Sequence, residues 1–208
     1  MDGLVSNFAL ISGVAGGHAS NHVIVLAGLA GLAAGSFSMA VGEYTSVASQ
    51  TELTLAEIEV ERRELELRPH AEIAELAGLY RSRGLSPELA EEVARQLSKN
   101  PERALEIHAR EELGVDPHSL PSPVLAAVSS FVCFALGALL PLLPFLFGPI
   151  SLWPSAIVSA LGLFGAGALV SLVTTRSWWF SGLRQLVLGA SAAAITYGVG
   201  VAVGAGVG

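Results

Sequence analysis

TELTLAEIEVERRELELRPHAEIAELAGLYRSRGLSPELAEEVARQLSKNPERALEIHAREELGVDP, residues 51–117, is the stretch on which the reading of this chain turns. Of the 18 acidic residues, only Asp2 and Glu43 lie outside it; of the 11 Lys and Arg residues, only Arg176 and Arg184 do. The blocks on either side are almost free of charge, so the net charge of -7 belongs to this stretch. Over the whole chain 52% of residues are hydrophobic and 14% are charged, against about one quarter charged in soluble domains. The mean hydropathy is +0.60. Apolar runs this long exceed what a soluble core of 208 residues uses. The pattern predicts an all-α membrane protein with a charged helical insert on one side: residues 1–50 in the membrane, 51–118 as the insert, and 119–208 in the membrane again.

Charge and cysteine content narrow the partners. An acidic insert disfavours nucleic acid, which needs basic surface, and favours cations. The single cysteine, Cys133, sits in an apolar run, so neither a disulfide framework nor a cysteine metal site is expected. It reads as a small buried or lipid-facing residue. The first apolar run has no basic region before it and does not read as a signal peptide. Ending near Gly17, it falls slightly short of the roughly 20 residues a span needs, which points to a trimmed start or a short helix.

Outward from the insert, residues 4–17 read as a first helix, followed by a turn around Gly16-Gly17-His18-Ala19-Ser20-Asn21. His18 and His22 have no acid near them in sequence and read as interfacial. Residues 23–48 form a second span, in which Ala27, Gly31 and Gly35 make a stripe of small residues for close helix packing. Charged helix begins at Glu52, and Pro69 interrupts it by removing a hydrogen bond and crowding the preceding turn. Ser86-Pro87-Glu88 and Asn100-Pro101-Glu102 are helix-start signals. They predict helices over about 70–82, 88–98 and from Pro101 to near Gly114. Pro117, Pro121 and Pro123 lead into a third span over 123–147, bent or ended near Pro141 and Pro144. A loop over about 148–152 precedes a fourth span over 153–174, and a fifth runs over 183–203. Trp178, Trp179 and Phe180 beside Arg176 read as an interfacial belt. With five spans, the insert and the loop bearing Arg176 and Arg184 share a side; the positive-inside rule makes that side cytoplasmic.

Two groups of residues carry chemistry. Glu61, Glu64, Glu72 and Glu75 would fall within about 80° on one unbroken helix. With Pro69 between them, they form two i, i+3 pairs on consecutive segments. His108 and Glu112 form an i, i+4 pair on the last insert helix, able to close against the others. Carboxylates suit hard cations, and an added imidazole shifts preference toward Fe, Mn or Zn. The competing reading is a solvated acidic face neutralised by Arg62, Arg63 and Arg68. The second group is Asp2, Met39 and Glu43. Met39 and Glu43 share a face at i, i+4, and Asp2 opens the first span. Ionisable residues in or near spans are expensive and commonly functional; a carboxylate pair with a thioether makes a transient site for a borderline divalent cation. The competing reading puts Asp2 and Glu43 at the membrane surface.

The chain resembles the vacuolar iron transporter family, which also covers yeast vacuolar iron/manganese importers and bacterial relatives. The resemblance is carried by Asp2-Gly3-Leu4-Val5-Ser6-Asn7-Phe8-Ala9-Leu10 and by Gly35-Ser36-Phe37-Ser38-Met39-Ala40-Val41-Gly42-Glu43-Tyr44. Further on come Arg63-Glu64-Leu65, Arg110-Glu111-Glu112-Leu113-Gly114 and Leu139-Leu140-Pro141-Leu142-Leu143-Pro144-Phe145. It implies a homodimer of five-span subunits with the ion path between them, exchanging cytosolic Fe²⁺, and Mn²⁺ as a further candidate, for protons. No enzyme activity, catalytic residue or prosthetic group is expected; Fe²⁺ is substrate and insert ligand, with Mn²⁺ or Zn²⁺ as alternatives. The family's insert glutamates match Glu61, Glu64, Glu72, Glu75 and Glu112, and its insert methionine falls on His108. Its membrane aspartate and methionine match Asp2 and Met39. A glutamate on the second span of plant members falls on Gly31, and Glu43, further along, takes over part of that role. Family members also have residues before the aspartate. No organelle signal is visible, so a bacterial plasma membrane with the insert in the cytoplasm is expected, or the vacuolar membrane in a eukaryote. The alternative function is a membrane-tethered metal sensor or buffer without transport.

Overall fold

A computed structural model describes residues 1–148 and 151–207. Among these the chain is helical, without a strand: α1 (Asp2–Gly16), α2 (Asn21–Leu67), α3 (Pro69–Ser82), α4 (Pro87–Leu97), α5 (Pro101–Glu111), α6 (Pro123–Leu146), α7 (Leu152–Val170) and α8 (Trp178–Val207). It divides into two compact units, Met1–Glu43 with Val124–Gly208, and Tyr44–Pro123.

The second span and the charged helix expected after it are one helix of 47 residues. No proline lies between Asn21 and Pro69, and residues 52–67 are mostly Glu, Leu, Ala and Arg, which are strong helix formers. The change from membrane to insert is thus a change of composition along a continuous backbone. The helix stops where expected, at Leu67, because Pro69 cannot continue it.

In the first unit, α2, α6, α7 and α8 are long and apolar enough to cross a membrane. α1 has 15 residues, about 22 Å at 1.5 Å per residue, short of the roughly 30 Å hydrocarbon core. It packs along α8 and α7. The approach to α8 is close enough that a Cβ at Gly13 would lie 3.2 Å from the Thr196 carbonyl oxygen. The Thr196 hydroxyl also donates to the Ala9 carbonyl at 2.7 Å. Ile11, Ile24, Leu142 and Phe145 form the buried core. α6 runs through Pro141 and Pro144 and ends at Leu146. Near these prolines other helices supply donors: Ser155 Oγ to the Pro141 carbonyl at 2.6 Å and Asn21 Nδ2 to the Phe145 carbonyl at 3.3 Å. The Phe145 carbonyl is one of the last in α6, which lack a partner within the helix. The loop expected over 148–152 includes Pro149 and Ile150, which lie outside the described residues. Trp178, Trp179 and Phe180, expected before the fifth span, form the exposed first turn of α8. Cys133 is exposed on apolar α6. His18 takes a left-handed conformation, φ 57°, in the turn before α2.

The second unit gathers the end of α2 with α3, α4 and α5. Both helix-start signals work as read: Ser86 Oγ accepts from Leu89 N–H at 3.4 Å and Asn100 Oδ1 from Arg103 N–H at 3.1 Å. Each offsets one unpaired donor of a helix start. Leu76 and Ala77 of α3 pack on Ala90 and Ala94 of α4. Ile58 of α2 packs on Leu105 and Ala109 of α5, with Leu65, Leu113 and Val115 around them. This second cluster sets the register of α5 against α2 and so places His108 opposite Glu61.

Candidate metal centre

His108 is fully buried, a rare place for an imidazole without partners. Its Nδ1 lies 2.9 Å from Glu61 Oε1 of α2 and 2.8 Å from Glu112 Oε1, one turn on. These are ion-pair distances, poorly aligned for hydrogen bonds. His108 Nδ1 and Nε2, Glu61 Oε1 and Glu112 Oε1 are all buried without a hydrogen-bond partner. An Nδ1–H shared between two carboxylates gives each only a bent, weakened bond, and a bare Nδ1 lone pair would repel an ionised carboxylate oxygen this near. A shared cation resolves the conflict. Neighbouring ligands around a six-coordinate ion with bonds of about 2.1 Å stand about 3 Å apart. One ligand atom from each of Glu61, His108 and Glu112 fits within 4.8 Å.

The remaining glutamates surround this triad electrostatically. Burial is the main reason that Glu61 holds its proton above the ordinary value of 4.5; Glu112 adds to the rise, His108 opposes it, and Glu64 and Glu75 add further. Glu72, 5% exposed in the first turn of α3, is raised by burial and then by Glu61, Glu75 and Glu64. Glu112 is raised by burial, lowered by His108, and raised again by Glu75 and Glu72. All six sequence-derived candidates therefore share one field, although only three form the close triad. Glu64 and Glu75 are exposed on its flank. Two of the three arginines expected to neutralise this face turn elsewhere: Arg62 and Arg63 pair with Glu59, at 3.5 and 3.3 Å.

The first unit holds the other candidates. Asp2, Ser6, Asn7 and Leu10 of α1 line a groove of about 300 Å³ with Gly31, Gly35, Ser38 and Met39 of α2, over Phe134 of α6. Asp2 and Met39 thus reach one cavity. Glu43, one turn beyond Met39, is exposed and is not among the lining residues. Ser6 Oγ donates to the Asp2 carbonyl at 2.8 Å and reaches Asp2 Oδ1 at 3.3 Å. The stripe containing Gly31 and Gly35 is a packing surface, as read: added Cβ atoms there would meet Leu10, Asn7 and Phe134. Ser6 and Asn7 were not singled out from the sequence. Both are uncharged, and an amide inside an apolar run was the one signal available.

Apolar spanning helices and a buried carboxylate–imidazole cluster together define a helical membrane protein with a candidate site for a divalent cation. The chain belongs to the VIT family, whose model matches residues 1–201. It is 41% identical over 208 residues to a vacuolar iron transporter of Acanthamoeba castellanii, covering 95% of this chain and 75% of that protein. It is 32% identical over 205 residues to vacuolar iron transporter 2 of Oryza sativa subsp. japonica, covering 97% and 83%. It is 31% identical over 202 residues to vacuolar iron transporter 1 of Arabidopsis thaliana, covering 94% and 80%.

Proposed function

We propose that this protein is a divalent-metal/proton antiporter that moves Fe²⁺, and Mn²⁺ as a second substrate, out of the cytosol. Family membership and the names of the relatives support iron transport. The observation that carries the metal reading is the buried His108 nitrogen held at contact distance between two carboxylates, with ligand atoms of all three within 4.8 Å. In this reading the insert is cytoplasmic and captures metal through Glu61, Glu64, Glu72, Glu75, His108 and Glu112. Binding displaces the protons that the raised carboxyl groups hold. The ion then moves along the groove of Asp2 and Met39, with Glu43 at its approach. Protonation of Asp2 or Glu43 from the far side releases it. The first helix counts as a fifth, short span, and the working unit is a homodimer in a plasma membrane, or a vacuolar one in a eukaryotic host.

The test is uptake by the purified full-length chain in proteoliposomes with an imposed pH gradient. Saturable Fe²⁺ or Mn²⁺ flux that collapses when the gradient is dissipated is the expected result. Metal binding without flux would instead establish the sensor or buffer reading. Neither binding nor flux would leave the acidic insert as a solvated domain.

A further inference from the structure

The groove between α1 and α2 contains a polar atom to which no charge draws attention. Asn7 is 2% exposed. Its Nδ2 donates to the Ala138 carbonyl of α6 at 2.6 Å. That bond identifies the nitrogen side of the amide and turns Oδ1 the other way. Oδ1 is buried and accepts no hydrogen bond. It faces α2 where that helix carries Gly31; a Cβ at this position would lie 2.9 Å from it. An amide oxygen anchored in this way, without a donor, on a residue that lines a cavity with Asp2, Gly31 and Met39, is an unsatisfied acceptor.

We propose that Asn7 Oδ1 is a cation-ligating oxygen that receives the metal after Asp2. This rests on reading the groove as the ion path. Five residues of helix carry Asn7 about 7.5 Å along α1 from Asp2 and about 140° around it. The two side chains thus leave α1 at different levels and on different sides, as successive positions would. Beyond Asp2 the walls include Leu10 and Phe134. An ion that leaves the carboxylate there needs oxygen to replace its water. A neutral carbonyl supplies a dipole without a second full charge, which lets the ion move on. Carbonyl and carboxylate oxygens favour Fe²⁺ and Mn²⁺ over the soft Cu⁺. The bond to Ala138 holds the dipole in place, so little reorganisation accompanies each passage.

The experiment compares wild type, Asn7→Leu, Asn7→Asp and Asp2→Ala as full-length protein in proteoliposomes, measuring initial Mn²⁺ uptake against concentration, with melting curves of the same preparations. Asn7→Leu removes the oxygen; ionised aspartate keeps it but cannot donate to Ala138. The expected KM for Asn7→Leu is higher on the order of tenfold, as loss of one polar contact to a charged group implies. The expected KM for Asn7→Asp is at or below wild type. A role confined to anchoring α1 on α6 predicts that both substitutions impair uptake together as melting falls, and that result overturns the proposal, as does any other order of KM. Should Asn7→Leu fail to fold, Asn7→Ala takes its place in the same ordering. Impaired Asp2→Ala with normal Asn7→Leu overturns this proposal alone. Normal Asp2→Ala overturns the ion-path reading and the proposal with it.

Discussion

The insert and the membrane groove offer a cation opposite kinds of environment. The insert concentrates one imidazole and five carboxylates drawn from the end of α2, from α3, and from α5 and its C-cap, with buried His108 touching both Glu61 and Glu112. The groove offers one carboxylate, one thioether and scattered neutral oxygens between packed helices. The first arrangement is held together against its own repulsion, which a divalent ion would relieve. The second contains little that would hold an ion for long. The difference teaches that capture and passage place different demands on a protein. In the proposed function, capture uses a charge density whose burial and repulsion raise the carboxyl groups of Glu61, Glu72 and Glu112. Passage through apolar surroundings uses few ligands and small residues, because every fixed charge there is expensive.

The largest expected effect separates the two regions. Asp2→Ala removes the only carboxylate lining the groove. It should abolish metal flux while calorimetry of the solubilised protein still finds wild-type metal binding. Normal flux would take Asp2 out of the path, and lost binding would show that the two sites are not separate. A smaller effect is expected in the insert. His108→Leu keeps the buried volume but removes the central nitrogen. Metal affinity should fall on the order of tenfold to a hundredfold, with flux at saturating metal reduced less. Unchanged affinity would assign binding to the exposed glutamates instead.

The smallest effect is on stability. The carboxyls of Glu61, Glu72 and Glu112 are raised above the ordinary 4.5 in the folded protein. Their contribution to stability is therefore fully present below the ordinary carboxylate range and is lost as pH rises through the raised values. Metal-free protein should melt at lower temperature at neutral pH than in mild acid. Saturating Mn²⁺ should reverse that trend, since metal binds the deprotonated ligands. Glu92, lowered by its Gln96 bond and then by Arg95, and Asp116, lowered by the His118 N–H and then by Arg110, act in the opposite direction. Both are solvent-screened, so their opposition should be weak. Melting curves with chelator and with Mn²⁺ check the sign. If the Glu61→Gln, Glu72→Gln, Glu112→Gln triple variant keeps the full pH dependence, the dependence does not arise in the cluster.

Much of this was legible along the chain. Apolar length marked the spans, Pro69 marked the end of α2, and Ser86-Pro87 and Asn100-Pro101 marked helix starts that the structure caps as read. These signals are local, and local backbone chemistry decides them. The six insert ligands were legible as residue types at helical spacings, but so were Glu59, Glu66 and Glu106 beside them. Spacing cannot tell which acid an arginine takes. Packing settled that: the Ile58–Leu105–Ala109 cluster turns α5 so that His108 meets Glu61, while Arg62 and Arg63 turn to Glu59. Asn7 was invisible for a different reason. An asparagine in an apolar run carries no charge, and only its bond to Ala138, 131 residues away, reveals which way its oxygen faces.

By itself, then, the sequence determined a charged helical insert between apolar blocks, the helix limits set by proline and capping residues, and the set of side chains able to ligate a cation. Those follow from composition and from interactions a few residues long. Tertiary structure decided that His108 meets Glu61 and Glu112 while Glu64 and Glu75 stay exposed, and that Asn7 shares a groove with Asp2 and Met39. These depend on contacts between helices distant in sequence, where the burial of a few apolar side chains orients the polar ones.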